Sequence, residues 1–314
     1  MNLTHLFNWF NTGVNWCKQR AYGLTALLLV LVGAMLVLTQ SLQELWHLWL
    51  TDALRSIGMA IPVAAAYFAW REGRELSWRD GQWWGLLLML LPLWLQGSMG
   101  QPLTLMIPVH GMLFNLAITS PGVLWLLYFS GACVYFGGMR AWCTLKFPLW
   151  LLLLVNPVPH AVDRLDISLQ IIAATVARAF AGLIHVPVEE GLLRMMFAPN
   201  LGIFIAPGCD GMRGMAAMLV ISLLAGRYYG LRPLGHLGFV IGAVLAGYVL
   251  NLVRLCLVVV YYRIALAWPS LGAYGTEIDY VIGGTLFCVA AGYLWYLPQR
   301  WQRALAPVGG VDAQ

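Results

Sequence analysis

The sequence predicts an all-α fold, a polytopic membrane bundle of about ten transmembrane helices. Of the 314 residues, 61% are hydrophobic and only 10% are charged. A soluble domain carries about 25% charged residues, so this chain cannot cover a water-facing surface. At about 20 residues per span, the length leaves room for about ten helices joined by short loops. The composition therefore excludes a soluble globular enzyme, a disordered chain and a fibrous protein.

The individual spans follow from apolar runs that are separated by charged or proline-containing loops. We predict spans at 22–40, 54–70, 82–98, 103–119, 121–138, 146–159, 165–185, 209–226, 236–262 and 280–298. Two of these runs carry helix-breaking signals. Pro108 lies inside 103–119, and 146–159 ends in Pro157-Val158-Pro159. Both patterns are typical of broken or re-entrant helices.

Three regions follow from this pattern. Residues 1–140 form N-terminal transmembrane helices without a diagnostic motif, 141–300 form a helical core with the candidate site residues, and 301–314 form a short disordered tail. Lysine and arginine in the short loops fall mostly on one side of ten spans, which we assign to the cytoplasm.

Charge and cysteine usage exclude several kinds of partner. The net charge of +5 is dispersed over short loops, and no basic run indicates nucleic-acid binding. The six cysteines form no CxxC pair and no cysteine–histidine cluster, which argues against a metal site or a disulfide framework. We therefore expect no metal and no cofactor. We expect membrane lipid to surround the protein and to be one of its partners.

Polar residues concentrate in the last three predicted spans. Cys209 and Arg213 lie near the start of span 209–226 and share a helix face, as do Asn251 and Arg254 in span 236–262. Arg254 lies about 12 Å before the outer end of its span at ~1.5 Å per residue. Asp279 lies where the last span re-enters the membrane from outside. The sequence therefore predicts that Cys209, Arg254 and Asp279 meet in the outer half of the bundle.

Glycines in two of these spans predict a close helix contact. Gly211 and Gly214 lie in span 209–226, and Gly238, Gly242 and Gly247 lie in span 236–262. Because glycine has no side chain, these positions allow the two backbones to approach closely.

This set of groups is typical of nucleophilic chemistry. A thiolate is the reactive form of cysteine, and a helix N-terminus and a nearby cation, here Arg254 or Arg213, both favour it. An arginine can stabilise the oxyanion of an acyl-transfer intermediate, and a third polar group can orient it or carry a proton.

Each residue also has an ordinary structural explanation. A cysteine among apolar residues packs as a small hydrophobe, and an arginine near a helix end extends to the membrane surface. Asn251 suits a helix–helix hydrogen bond, and Asp279 suits a helix N-cap. The depth of Arg254 and the helix-start position of Cys209 favour a functional site over these explanations.

At these residues the sequence resembles the exosortase/archaeosortase family. The segment Cys209-Asp210-Gly211-Met212-Arg213 is similar to the family's Cys-Ser-Gly-hydrophobic-Arg motif, with aspartate in place of serine. Asn251-Leu252-Val253-Arg254 matches its Asn-x-x-Arg motif. The resemblance covers about residues 145–298.

The resemblance implies a membrane-embedded cysteine peptidase or transpeptidase that processes the C-terminal sorting signals of exported proteins. It implies Cys209 as the nucleophile and Arg254 as the group that stabilises developing negative charge, with Arg213 and Asn251 as substrate or supporting contacts. The implied partners are exported proteins that end in a hydrophobic sorting helix. The implied location is a bacterial inner membrane, with the active site toward the periplasm.

The third position departs from the family pattern. Exosortases usually carry a histidine near the start of the last span, followed four residues later by glycine. Here Asp279 occupies that position, with Gly283 four residues on. If the residue at this third position must transfer a proton in the reaction, Asp279 can do so only if its carboxyl group is protonated at neutral pH. Otherwise it orients Arg254 through a charge-assisted hydrogen bond.

Two further functions stay open at this point. One is a non-catalytic membrane factor in exopolysaccharide assembly on the same scaffold, which the absent histidine favours. The other is a polyisoprenoid or acyl-chain transferase, which requires a His-Asp or acidic cluster that the sequence does not contain.

Overall fold

The computed structural model describes most of the chain between Leu28 and Leu305. The described residues are 28, 30–39, 41–52, 55–76, 80–98, 104–109, 112–117, 119–156, 163–188, 191, 193–198, 201–204 and 211–305. Most of them are helical. The chain divides into two compact units between Pro159 and His160, and each unit is described by itself below.

The N-terminal unit begins with α1, which comprises the helical residues 30–39 and 41–51. It continues through the 3₁₀ turn Arg55–Met59, α2 (Ala60–Gly73), α3 (Gly85–Ser98), β1 (Thr104–Val109), β2 (Met112–Ala117), α4 (Pro121–Leu151) and the 3₁₀ turn Leu152–Val155. Helix α4 packs against both α2 and α3.

Helix α4 reverses direction at Gly138. A straight helix of 31 residues would hold its ends about 45 Å apart. Instead, a Cβ at Gly122 would lie 2.7 Å from the carbonyl oxygen of Leu152. Gly138 has φ 67° and ψ −166°, a backbone conformation that glycine adopts without steric cost. The two arms of α4 therefore run side by side, and they correspond to the predicted spans 121–138 and 146–159.

The C-terminal unit comprises α5 (Asp163–Leu183), β3 (Arg194–Ala198), β4 (Leu201–Phe204), α6 (Met212–Tyr228), α7 (Pro233–Ala267), the 3₁₀ turn Pro269–Tyr274 and α8 (Gly275–Leu305). Helix α7 is its centre, because α5, α6 and α8 all pack against it. Buried alanines of α5 allow a close approach to α7, where Leu255, Val258 and Val259 complete the core.

Three described helical segments have the length and hydropathy of a membrane span: Pro121–Val155, which comprises both arms of α4, Pro233–Ala267 and Pro269–Arg300. Shorter apolar helices lie at Gly85–Gln96 and Ile167–Leu183. These segments support a mostly helical, multi-pass membrane protein. The total of about ten spans stays a prediction.

The predicted span 103–119 is wrong. Its residues form an antiparallel β-hairpin, in which Thr104 pairs with Ala117 and Val109 with Met112. Pro108 disfavours a helix interior, because it lacks a backbone N–H and clashes with the preceding turn. A two-stranded hairpin tolerates it because both strands are edges. A second hairpin, β3–β4, further modifies the predicted all-α class.

Candidate active site

Arg254 and Asp279 form an ion pair between α7 and α8. The guanidinium donates from Nε to Oδ1 of Asp279 at 2.7 Å, and its Nη2 donates to Oδ2. The two side chains are only 20% and 29% exposed. A bidentate arginine–carboxylate pair fixes the plane and direction of the guanidinium. The predicted meeting of these two residues is therefore confirmed.

The 3₁₀ turn Pro269–Tyr274 brings Asp279 to the depth of Arg254. Helix α7 continues to Ala267, so Arg254 lies about 20 Å before its end at ~1.5 Å per residue, deeper than the predicted 12 Å. The chain then folds back along α7, where the hydroxyl of Tyr261 donates a hydrogen bond to the carbonyl oxygen of Leu271. The start of α8 also packs on α7, because Gly275 lies directly against the Tyr262 hydroxyl.

Gly283 leaves room for the arginine side chain. It lies one turn beyond Asp279 on α8, and a Cβ there would stand 3.2 Å from Nε and 3.3 Å from Cδ of Arg254. That separation is tighter than an ordinary van der Waals contact. The pairing of Asp279 with a glycine four residues later therefore has a steric reason.

Asn251 connects this pair to the start of α6. It lies one turn before Arg254 on α7 and is 8% exposed. A Cβ at Gly211 would lie 3.2 Å from both Cβ and Nδ2 of Asn251. Gly211 has φ 89°, which a residue with a side chain rarely adopts. The chain thus enters α6 directly over Asn251, through a backbone shape that requires glycine.

Helices α6 and α7 meet backbone to backbone one turn further on. A Cβ at Gly247 would lie 3.0 Å from the carbonyl carbon and oxygen of Gly214. The predicted close approach at Gly214 and Gly247 is confirmed. The other two glycines of α7 in that prediction, Gly238 and Gly242, have no described neighbour within 4 Å of the position that a Cβ would take.

The remaining predicted site residues lie near the start of α6. Arg213 is exposed in the first turn of this helix. Cys209 and Asp210 lie outside the described residues. The structure thus brings together Arg254, Asp279 and Asn251, and it places Gly211 of the cysteine motif against Asn251.

The β3–β4 hairpin is a positioning element that the sequence reasoning missed. Its residues Met195 and Phe197 are buried in the core of the C-terminal unit. The Phe197 ring stacks on Tyr262 of α7 with centroids 5.1 Å apart. The sequence signal for such a hairpin is the turn-forming pair Pro199-Asn200 between two short, mostly apolar runs. The hairpin packs through β3 against the same end of α7 that carries the fold-back.

Across the described part of the chain, no three histidine, cysteine, aspartate or glutamate side chains come together as metal ligands. The polar groups that the described residues bring together in this region are the ion pair and the buried amide of Asn251.

Comparison with known proteins assigns the family. The model of the transmembrane exosortase family matches residues 49–296. The match includes the whole ion pair and extends well into the N-terminal unit, beyond the region that the motifs cover. No curated protein and no solved structure matched the chain. Because the family model covers more than half of the sequence, the chain belongs to the transmembrane exosortase family.

Proposed function

We propose that this protein is a membrane-embedded cysteine peptidase or transpeptidase that processes the C-terminal sorting signals of exported proteins. The observation that carries the proposal is the bidentate Arg254–Asp279 pair, one helical turn from Asn251 and the Gly211 entry to α6. It presents a rigidly held cation beside the motif that contains the candidate nucleophile. Membership of the exosortase family supports the same reaction class.

Covalent connectivity supports a site that Cys209 shares with this cation. Cys209 precedes Gly211 by two residues, and two residues of fully extended chain span at most about 7 Å between Cα atoms. Gly211 contacts Asn251, which is one helical turn from Arg254. In the proposed site, a thiolate at Cys209 and the guanidinium held by Asp279 act on one carbonyl group.

The proposed reaction has two steps. The Cys209 thiolate attacks the carbonyl carbon of the scissile peptide bond, and Arg254 stabilises the resulting oxyanion. The carbon–nitrogen bond then breaks, a thioester forms, and the amine of the sorting segment leaves with the proton that the Cys209 thiol released to solvent on ionisation. Water or the amine of a second molecule resolves the thioester and releases the thiolate. Asp279 acts as a positioning residue for Arg254, and Arg213 contacts the substrate segment at the exposed start of α6.

Replacement of the candidate nucleophile tests the proposal. The source strain would carry Cys209→Ala in place of the native residue, with Cys288→Ala as the matched control, because Cys288 is an exposed free cysteine on α8. C-terminal peptides of exported proteins would be quantified by mass spectrometry. We expect exported proteins to retain their hydrophobic C-terminal segments only in the Cys209→Ala strain. Unchanged processing in that strain would show that Cys209 is not the nucleophile.

The side of the membrane that the proposed active site faces requires its own measurement. A protein with Cys209 as its single cysteine would be labelled in intact cells with a membrane-impermeant maleimide. The proposed location is the bacterial inner membrane with the site toward the periplasm, so we expect labelling from outside. Labelling that requires cell lysis would place the site on the cytoplasmic side.

One observation favours a second function, a non-catalytic factor in exopolysaccharide assembly. Asp279 stands where the family usually has histidine, and both of its carboxylate oxygens accept hydrogen bonds from Arg254. That arrangement positions a cation and does not move protons. In this case the Cys209→Ala strain would produce normal exopolysaccharide, whereas deletion of the whole gene would abolish it.

A further inference from the structure

Tyr248 is a part-buried residue of α7 that contacts the start of α6. It lies three residues before Asn251, which is close to one helical turn, so the two side chains share a face of α7. A Cβ built on Gly211 would stand 3.0 Å from Cδ2 of the Tyr248 ring and 3.2 Å from Cβ of Asn251. Gly211 therefore lies against two side chains of α7, and only one of them belongs to the Asn-x-x-Arg motif.

The hydroxyl of Tyr248 reaches α5. It donates a hydrogen bond to the carbonyl oxygen of Leu169 at 3.4 Å. A typical O–H···O hydrogen bond measures about 2.7–2.8 Å, so this long bond contributes little energy. It does show the direction of the side chain, which extends from α7 to α5 with one ring carbon against Gly211. The ring, and not the hydroxyl, is thus the part of Tyr248 that supports the entry to α6.

The backbone of Gly211 depends on such support. It has φ 89° and ψ −6°, and its carbonyl oxygen accepts a hydrogen bond from the N–H of Met215 at 2.9 Å, in the first turn of α6. Glycine adopts positive and negative φ about equally readily, and it offers no side-chain cap to the helix. Its own covalent structure therefore does not select this conformation. Contacts with Tyr248 and Asn251 restrict it instead.

The conformation of Gly211 affects where the preceding residues lie. Cys209 is joined to Gly211 by two residues of chain, which span at most about 7 Å, so a rotation of about 30° at Gly211 moves the cysteine by up to about 4 Å. A misplacement of about 1 Å in a reacting group can lower a rate by about a hundredfold. A small change at this glycine would therefore matter for a thiol that reacts beside a fixed cation.

We infer that Tyr248 is a positioning residue of the candidate site, whose ring holds the Gly211 turn and thereby keeps the Cys209 thiol beside the Arg254 guanidinium. This inference rests on the proposed function, because it requires Cys209 to react next to Arg254. It assigns a role to a residue that lies outside both sequence motifs. It also makes the aromatic ring, and not the hydroxyl, the essential group.

The pH dependence of thiol alkylation tests the inference without relying on catalysis. The full-length protein, with the other five cysteines replaced by alanine, would be purified in detergent. Its reaction rate with iodoacetamide would be measured from about pH 5 to pH 10, a range that brackets the free-cysteine pKa of ~8.5. The thiolate is the reactive form, so the midpoint of the rate curve reports how strongly the surroundings of Cys209 favour it.

Two variants of Tyr248 separate the ring from the hydroxyl. Tyr248→Ala removes the ring and should raise the midpoint by about one pH unit, which lowers the rate near pH 7 by about tenfold, because the thiol moves away from Arg254. Tyr248→Phe keeps the ring and should retain the wild-type midpoint. Leu250→Ala is the matched control, because Leu250 is a part-buried residue of the same helix that packs against the core around Met218 and Phe239. It should lower stability but leave the midpoint unchanged.

Removal of the ion pair shows whether Tyr248 acts through Arg254. The double variant Arg254→Gln, Asp279→Asn removes both charges, so no unpaired charge is left behind. In this charge-free background the midpoint should already be raised, and Tyr248→Ala should cause no further change. A further rise of the same size would show that the ring affects the thiol by another route, and it would overturn the inference.

Failure of the inference is distinguishable from failure of the proposed function. If the charge-free background raises the midpoint but Tyr248→Ala leaves it at the wild-type value, Tyr248 has no positioning role and the proposed reaction stands. If the wild type and the charge-free background share one midpoint, Cys209 and Arg254 do not meet, and both proposals are wrong. If Tyr248→Ala fails to fold, Tyr248→Leu removes the ring with a smaller loss of volume and should raise the midpoint in the same direction.

Discussion

Gly283 of α8 lies directly against the guanidinium of Arg254, so a methyl group at this position would have to displace the arginine by a few tenths of an ångström. A Cβ at this position would stand 3.2 Å from Nε, which makes glycine part of the ion pair's geometry. The arginine reaches Asp279 by passing over this residue.

Gly283→Ala should therefore impair the site. Alanine raises helix propensity by up to about 1 kcal/mol, so any loss must come from the displaced guanidinium. We expect processing of exported proteins to fall fivefold or more. Gly284→Ala is the matched control, because no described atom lies within 4 Å of its Cβ position. Equal activity of the two variants would contradict the steric role of Gly283.

Asp279→Asn tests the charge of the pair without changing its shape. The variant leaves Arg254 with a neutral partner at a largely buried position. We expect the free energy of unfolding to fall by about 1–3 kcal/mol, below the ~3–5 kcal/mol of a fully buried broken pair, because the side chains keep some exposure. Thermal unfolding in detergent measures the change. A variant as stable as the wild type would mean that solvent already screens the pair.

Asp279→His distinguishes the two roles of the third position. Histidine restores the residue that the family usually carries, but it cannot accept both hydrogen bonds from Arg254. If Asp279 positions the arginine, this variant should lose processing by tenfold or more. Retained or increased processing would indicate that the position carries a proton.

Gly247→Ala should separate α6 from α7. Its methyl group would meet backbone atoms of Gly214 at 3.0 Å, and a helix backbone cannot yield as a flexible side chain does. We expect a loss of about 1–3 kcal/mol in unfolding free energy, which is typical of overpacking. Gly242→Ala lies on the same helix with no described neighbour within 4 Å and should be neutral or stabilising. A neutral Gly247→Ala would show that the two helices can move apart at little cost.

Tyr261→Phe should loosen the fold-back before α8. The variant removes the hydrogen bond to the carbonyl oxygen of Leu271, which contributes about 1 kcal/mol. Tyr293→Phe, an exposed tyrosine on α8, is the control. We expect faster protease cleavage within residues 268–274 only in Tyr261→Phe. The same cleavage rate in both variants would mean that the fold-back is held by packing alone.

Much of the C-terminal site could be predicted from the sequence. An arginine far from a helix end needs an internal partner, and this requirement alone predicts that Arg254 meets an acidic group such as Asp279. Asn251 and Arg254 are three residues apart in the sequence, which is close to one helical turn, so the sequence predicts that they lie on the same face of the helix. The glycines at 214 and 247 indicated a close helix crossing. These inferences succeeded because burial in the membrane makes each polar side chain costly unless it has a partner. A glycine is likewise costly unless another helix packs closely against it.

The parts that failed depend on backbone geometry rather than on hydropathy. The run 103–119 is as apolar as a span, and only Pro108 separates a hairpin from a helix. The end of α7 was placed five residues early, since hydropathy does not register the fold-back over Pro269–Tyr274. Hydropathy also does not reveal that Gly138 reverses α4. Cys209 lies outside the described residues, so its role as nucleophile stays a prediction.

The short return between α7 and α8 has a consequence for biosynthesis. Arg254 and Asp279 are only 25 residues apart and belong to one helical hairpin, so both charges leave the ribosome within one short stretch of translation. The hairpin can enter the lipid with these two opposite charges already paired, which lowers the insertion cost below that of either charge alone. The Arg254–Asp279 contact itself needs only the two helices of this hairpin.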